Sequence, residues 1–362
     1  MAEIESYPMH GGQLRQIAER FAIDESQLLD FSANINPDGP SPAVIAALRA
    51  GIDDLSTLTE YPDLQQTDLR HAIAMHIGVE MENIIVANGF VPLLEATLQA
   101  IKIHNCLLPV PAFVEYRKTF ERSEIEVTPH VLNAESGFNY DPAEMFARTH
   151  DAILLANPQN PSGVCQDSEL MRAIVNKAYE KNTFVLLDEA FIDYAPQHSL
   201  TSTTDDFPNL IVFRSVTKFY GIPGLRVAYA VANSVLASSI NDNLAPWPIT
   251  TLASRAVCAA LADDIYVGRT INENLHRKVA FEGALKSLGL TVYASGANFL
   301  LFCLPADVNP DKFWKQMIID HHIVLRNCAN YEGLDPGHFR AAVRTQEENT
   351  RLQKALKDTL SR

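Results

Sequence analysis

The sequence predicts an α/β protein: a mostly parallel central sheet with helices on both faces, followed by a smaller α+β unit towards the C-terminal end. Three observations carry this. Short apolar runs rich in branched residues alternate with helix-like stretches through the first two thirds of the chain. Those runs are apolar throughout rather than alternating with polar residues, the mark of strands buried on both faces. Beyond about residue 233 the pattern changes to a long helical stretch and then short strand-like pieces.

In chain order, residues 12–21 predict a helix, and 36–42 form a Pro- and Gly-rich passage. Strands are expected at 84–87, 106–108, 125–127, 152–156, 184–187, 210–213 and 226–231, with amphipathic helices at 92–101, 113–121 and 167–181. Residues 249–288 read as helix without a strong internal break, followed by strand-like pieces at 291–294, 298–303, 323–325 and 339–343. The last helix, 346–360, sets Leu352, Leu356 and Leu360 four apart on one face. The organisation expected is an arm over 1–40 that packs with the small domain, a large domain over 41–245, and a small domain over 246–362.

Composition narrows the function classes. The chain has 362 residues, 47% of them hydrophobic, enough for a substantial core and about two domains. Lys and Arg total 29 against 44 Asp and Glu, a net charge of −15, which disfavours nucleic acid as a partner. No apolar run approaches the ~18–20 residues that span a bilayer, so no membrane partner is expected. Residues 1–13 lack the basic patch and apolar stretch of a signal peptide, pointing to the cytoplasm. The five cysteines, at 106, 165, 258, 303 and 328, show no metal-ligand spacing and no disulfide framework; no metal is expected.

In an open parallel sheet, ligands bind beyond the carboxyl ends of the strands. Four such ends stand out. Asn88-Gly89 precedes a helix start, an anion cradle in which Gly89, Phe90 and Val91 supply backbone N–H groups, or else an ordinary strand-to-helix turn. Asn157-Pro158-Gln159-Asn160-Pro161 presents amide side chains on a turn stiffened by two prolines, or merely punctuates a loop. Asp188 ends an apolar strand and is costly to bury unless it meets a cation or strong donors, or else pairs structurally with an arginine. Ser215, Thr217, Lys218 and Arg226 crowd the fourth end; a partly desolvated Lys218 would be a nucleophilic amine, a solvated one only surface charge. Together these are the parts that hold pyridoxal phosphate.

In order and spacing these motifs resemble the fold-type I pyridoxal-phosphate enzymes, in the histidinol-phosphate aminotransferase branch, over nearly the whole chain. The resemblance implies that architecture and pyridoxal 5'-phosphate as cofactor. Lys218 would be the catalytic lysine that takes the cofactor aldehyde, with Asp188 at the ring nitrogen, Asn160 at the ring oxygen and Phe113 stacked on the ring. Ser215, Thr217, Arg226 and the Gly89-Phe90-Val91 turn would hold the phosphate. Tyr61 would reach a neighbouring subunit's cofactor, implying a homodimer. Three segments, around His10-Gly11-Gly12, Asp30–Pro37 and Arg326–Asp335 with Arg340 and Arg344, resemble the threonine-phosphate decarboxylases within the branch. By that likeness His10, Gly11, Asn34, Asn157, Arg326 and Arg340 would contact a small phosphorylated amino acid. Two other functions stand beside it: transamination of the histidinol-phosphate type, and a non-catalytic binding or regulatory protein on the same fold. The second is motivated by the cradle, where Phe90-Val91 replaces the family's polar residues and Phe90 would reshape the pocket.

Overall fold

The computed structural model describes residues 7–361. Its strands, numbered along the chain, are β1 (Leu29–Asp30), β2 (Ile84–Ala87), β3 (Asn105–Val110), β4 (Glu126–Val131), β5 (Ala152–Ala156), β6 (Phe184–Asp188), β7 (Leu210–Ser215), β8 (Ala228–Val231), β9 (Thr291–Val292), β10 (Phe299–Cys303), β11 (Ile323–Val324), β12 (Arg326–Asn327) and β13 (His338–Ala342). A seven-stranded sheet runs in the order β2-β8-β7-β6-β5-β3-β4. All neighbours are parallel except those of β8, which is antiparallel to both β7 and β2. Two reversals in succession leave β2 pointing the same way as β5, β6 and β7. Their carboxyl ends therefore open on one edge.

Why the sheet is buried on both faces can be read from alternate residues. Leu154, Leu186, Ile211 and Phe213 join the helices Phe90–Ile101 and Val114–Arg122 in one core. Their neighbours Ile153, Leu155, Val185, Leu187 and Val212 point the other way, onto the helix Ser168–Glu180. A strand's side chains alternate between faces, so a run without polar residues needs cover on both. Edge strand β4 is the exception, with exposed or half-buried residues throughout. It and β3 extend past the predicted ends, through Pro129 and Pro109; β4 is an edge strand, and β3 pairs with β5 only at Cys106 and Leu107, so beyond Leu107 it too has one unpaired side, where proline is tolerated.

The chain's start and its C-terminal part share a core. β1 lies parallel to β11, and Ile17, Leu28 and Phe31 pack with Phe313, Trp314, Phe339 and Leu352. The antiparallel sheet β12-β13-β10-β9 completes this unit. The helix Gln346–Leu360 closes it and starts at a capping box between Thr345 and Glu348. The helical stretch predicted as continuous is two helices, Thr251–Leu261 and Asp264–Ser287, because Asp263 accepts from the Tyr266 N–H and caps the second one. The Pro- and Gly-rich passage leads straight into another helix, Pro42–Asp53, with proline in its first turn where no N–H is needed. Among the described residues no helix is long and apolar enough to cross a membrane.

Candidate active site

The carboxyl end of β7 delivers Ser215, then Thr217 and Lys218. Ser215 Oγ lies 2.8 Å from Thr217 Oγ1, and Lys218 Nζ donates to Ser215 Oγ at 3.0 Å. Burial lowers the Lys218 pKa, Asp188 opposes that, and the nearby Arg226 adds to it. A larger share of neutral amine is what a nucleophilic lysine requires. The backbone of Lys218 is held from the chain's start, its carbonyl accepting from the Asn36 N–H at 3.0 Å.

One strand over, β6 ends on Asp188. Burial raises its pKa against the pull of a hydrogen bond from the Tyr116 hydroxyl, the Lys218 charge and the Ala190 N–H. Tyr116 is itself buried beside this carboxylate, which keeps its phenol protonated and a donor. Sequence reasoning named Asp188 and missed Tyr116, which lies three residues beyond Phe113 on the following helix. Phe113, half-buried, meets Tyr116 edge-on at 5.5 Å between ring centres. The ring of Phe191 faces Lys218 Nζ, 5.9 Å from its centre.

The cradle after β2 differs from expectation. The helix begins at Phe90, not Pro92, with Gly89 as its N-terminal cap at φ 94°. The N–H groups of Phe90 and Val91 therefore lie in the first turn, where a helix offers unpaired donors. The ring of Phe90 packs between Tyr116 and Phe213, at 5.5 and 5.3 Å. A Cβ on Gly89 would stand 2.9 Å from Arg226 Nη2, so the bare glycine lets a guanidinium close over the turn. Among the described residues that guanidinium has no carboxylate within ion-pair distance. A helix N-terminus, a free arginine and two hydroxyls form a set that fits a phosphate.

Asn160 meets Arg340, whose cross-strand partner is Arg326. Arg340 donates to Asn160 Oδ1 and, at 3.0 Å, to the Ser32 carbonyl, while its Nε is buried without a partner. Arg326 sits directly opposite Arg340 in the β12–β13 register. It donates to the carbonyls of Pro8, Met9 and Asn327 and to Asn330 Oδ1. Arg326 and Arg340 are 3% and 5% exposed, and among the described residues neither pairs with a carboxylate. Arg344, by contrast, is bound to Glu348 at 2.8 Å, a structural ion pair.

The remaining predicted residues divide. His10 lies 3.1 Å from Glu115 and near the Phe113 ring, and burial lowers its pKa. Gly11 passes so close to Ser32 that a Cβ would overlap its carbonyl oxygen at 2.1 Å. Asn34 is buried with its Oδ1 unpartnered. Asn157 is not brought into this group: both ends of its amide close the loop on the Gln166 backbone, at 2.8 and 3.1 Å. Tyr61 is also apart, 80% exposed and stacked on Trp247.

The chain matches the family described as Aminotransferase class I and II over residues 26–356. It is 34% identical to threonine-phosphate decarboxylase of Salmonella typhimurium over 358 residues, covering 97% of this chain and 96% of the relative. The fold is similar to that of histidinol-phosphate aminotransferase from Clostridium acetobutylicum, with a TM-score of 0.86, 27% identity, and 92% and 99% of the two chains covered. It is also similar to L-threonine-O-3-phosphate decarboxylase from Porphyromonas gingivalis, with a TM-score of 0.80, 26% identity and the same coverage.

Proposed function

The chain belongs to the class I and II aminotransferase family and is a pyridoxal-phosphate-dependent enzyme, and from that premise we propose that it decarboxylates a phosphorylated amino acid. The substrate proposed is L-threonine O-3-phosphate, giving (R)-1-aminopropan-2-ol phosphate and carbon dioxide, a step of cobalamin biosynthesis. One observation carries this reading. Two buried arginines, Arg326 and Arg340, are direct cross-strand partners, and neither has a carboxylate partner among the described residues. Adjacent buried like charges are costly unless anions meet them. A substrate with both a carboxylate and a phosphate supplies two, and the planar fork of arginine suits either. The identity to the Salmonella typhimurium decarboxylase supports the same choice.

In this reading Lys218, Asp188, Asn160, Phe113, Ser215, Thr217, Arg226 and the Gly89 turn hold the cofactor, with Asp188 at its ring nitrogen. Bound there, pyridoxal phosphate supplies an aldehyde for the substrate amine and a cationic ring that accepts the electron pair of the breaking Cα bond. Arg326, Arg340, His10 and Asn34 would grip the anionic groups and so select which group on Cα is presented for loss. Presenting the carboxylate gives loss of carbon dioxide; presenting the hydrogen gives transamination. Lys218, its pKa lowered by burial, is placed to return a proton to Cα. The arm over 1–40 and the unit over 246–362 close these arginines over a cofactor held by 41–245.

A cytoplasmic homodimer completes the proposal. Leu55, Leu58, Tyr61 and Leu64 are exposed apolar side chains on one short stretch, as a subunit interface would require. The second reading, transamination, is favoured by the likeness to the Clostridium acetobutylicum aminotransferase. Incubation of the loaded protein with threonine phosphate separates the two. Carbon dioxide released without any keto acid supports decarboxylation; amino transfer that needs 2-oxoglutarate and yields no gas refutes it.

A further inference from the structure

The C-terminal unit holds a second group of chemically competent side chains. Cys303 ends β10 and His338 begins β13, and the two are direct partners in the antiparallel register. Directly paired residues point to the same face of a sheet. Asp335, on the turn before β13, brings its carboxylate to the same place. One ligand atom from each of Cys303, Asp335 and His338 lies within 4.8 Å of the other two. We propose that these three side chains bind a divalent cation of the zinc class, separate from the cofactor site.

The donor chemistry selects the metal. One thiolate, one imidazole and one carboxylate make a borderline-soft set suited to tetrahedral Zn²⁺, with a fourth position left for water. Hard cations such as Mg²⁺ and Ca²⁺ take oxygen ligands instead. A side chain at Gly337 would crowd the group: its Cβ would come within 3.1 Å of Asp335 Oδ1 and 3.4 Å of Cys303 Sγ. His338 is buried, whereas Asp335 is exposed and Cys303 half-buried, which gives an entry path.

Both ring nitrogens of His338 have polar neighbours, one a fellow ligand and the other Tyr293, outside the set. His338 Nδ1 lies 3.0 Å from Asp335 Oδ1, and its Nε2 lies 3.1 Å from the Tyr293 hydroxyl. On binding, the cation replaces the proton shared with Asp335. The imidazole carries its proton on Nε2, where Tyr293 Oη accepts it, the arrangement that orients metal-ligating histidines. On binding, the Cys303 thiol gives its proton to solvent and ligates as the thiolate. Cys303 is far in sequence from Asp335 and His338, which is why cysteine spacing gave no sign of the group.

Co²⁺ titrated into the cofactor-loaded protein is the test. The expected result is one equivalent bound with a thiolate-to-cobalt charge-transfer band in the near ultraviolet. Cys303→Ser should remove the band, and Asp335→Asn and Tyr293→Phe should each weaken binding at least ~10-fold. Absence of the band, or its survival in Cys303→Ser, overturns the proposal. The unmodified chain gives a check free of folding defects: Zn²⁺ should slow alkylation of Cys303 at least ~10-fold, mapped by peptide mass. An unchanged rate also overturns it.

Discussion

Tyr116→Phe removes one atom from the structure and isolates one function of it. The phenol is buried, and its hydroxyl donates to Asp188 Oδ2. Its ring contacts with Phe90 and Phe113 survive the change. What goes is one hydrogen bond to a charged acceptor, worth ~1.5–3 kcal/mol. In the cofactor-free protein Asp188, already raised in pKa by burial, can take up a proton and escape most of that loss. If Asp188 faces the protonated ring nitrogen of bound pyridoxal phosphate, as proposed, it stays ionised there, so the loss falls mainly on the loaded state. The cofactor Kd should therefore rise about 10- to 150-fold, while the melting temperature of the cofactor-free protein changes little. Equilibrium dialysis gives the first quantity and thermal melting the second. A Kd within about threefold of the parent, with full occupancy shown by the visible spectrum, would mean that Tyr116 does not support the Asp188 charge.

Three further outcomes follow from the same geometry. Burial first, and Arg226 next, lower the Lys218 pKa, and only the neutral amine attacks an aldehyde; the rate of cofactor capture should reach its plateau at lower pH than for a lysine with the ordinary pKa of 10.5. Because Asp188 opposes that shift, Asp188→Asn should move the midpoint lower still, read by stopped-flow absorbance. Arg340→Lys cannot span both Asn160 and the Ser32 carbonyl with one ammonium; KM for threonine phosphate should rise at least ~10-fold with the cofactor spectrum preserved. Gly11→Ala forces the backbone away from Ser32, where a Cβ would lie 2.1 Å from the carbonyl oxygen; limited proteolysis should then cut the first forty residues faster.

How far the sequence revealed the site depends on what kind of signal each residue leaves. Lys218, Asp188 and Ser215 were legible because each follows an apolar strand, and a charge or hydroxyl at the end of such a run has no packing role to explain it. Tyr116 left no such signal: on an amphipathic helix a buried tyrosine looks like any core aromatic, and only the fold carries it to Asp188. The helix break at Asp263 was hidden for a similar reason, since an aspartate among helix-compatible residues becomes a cap only when the preceding turn unwinds. Strands β3 and β4 run on through Pro109 and Pro129, past their expected ends, because β4 is an edge and the pairing of β3 with β5 stops at Leu107, which leaves each proline an unpaired side.

The arginine pair shows where pattern reading stops and assembly takes over. Arg326 and Arg340 were each recognisable by motif, yet their being cross-strand neighbours follows from the register of two short strands. That register also joins the anionic-substrate reading to the chain's start. Arg326 is held by the carbonyls of Pro8 and Met9, and Arg340 by that of Ser32. Carbonyl oxygens orient a guanidinium without cancelling its charge, whereas a carboxylate would do both. The N-terminal segment thus fixes two cations in place and leaves their charge available. In a protein of net charge −15, that is a specific way to keep a buried positive site for an anion.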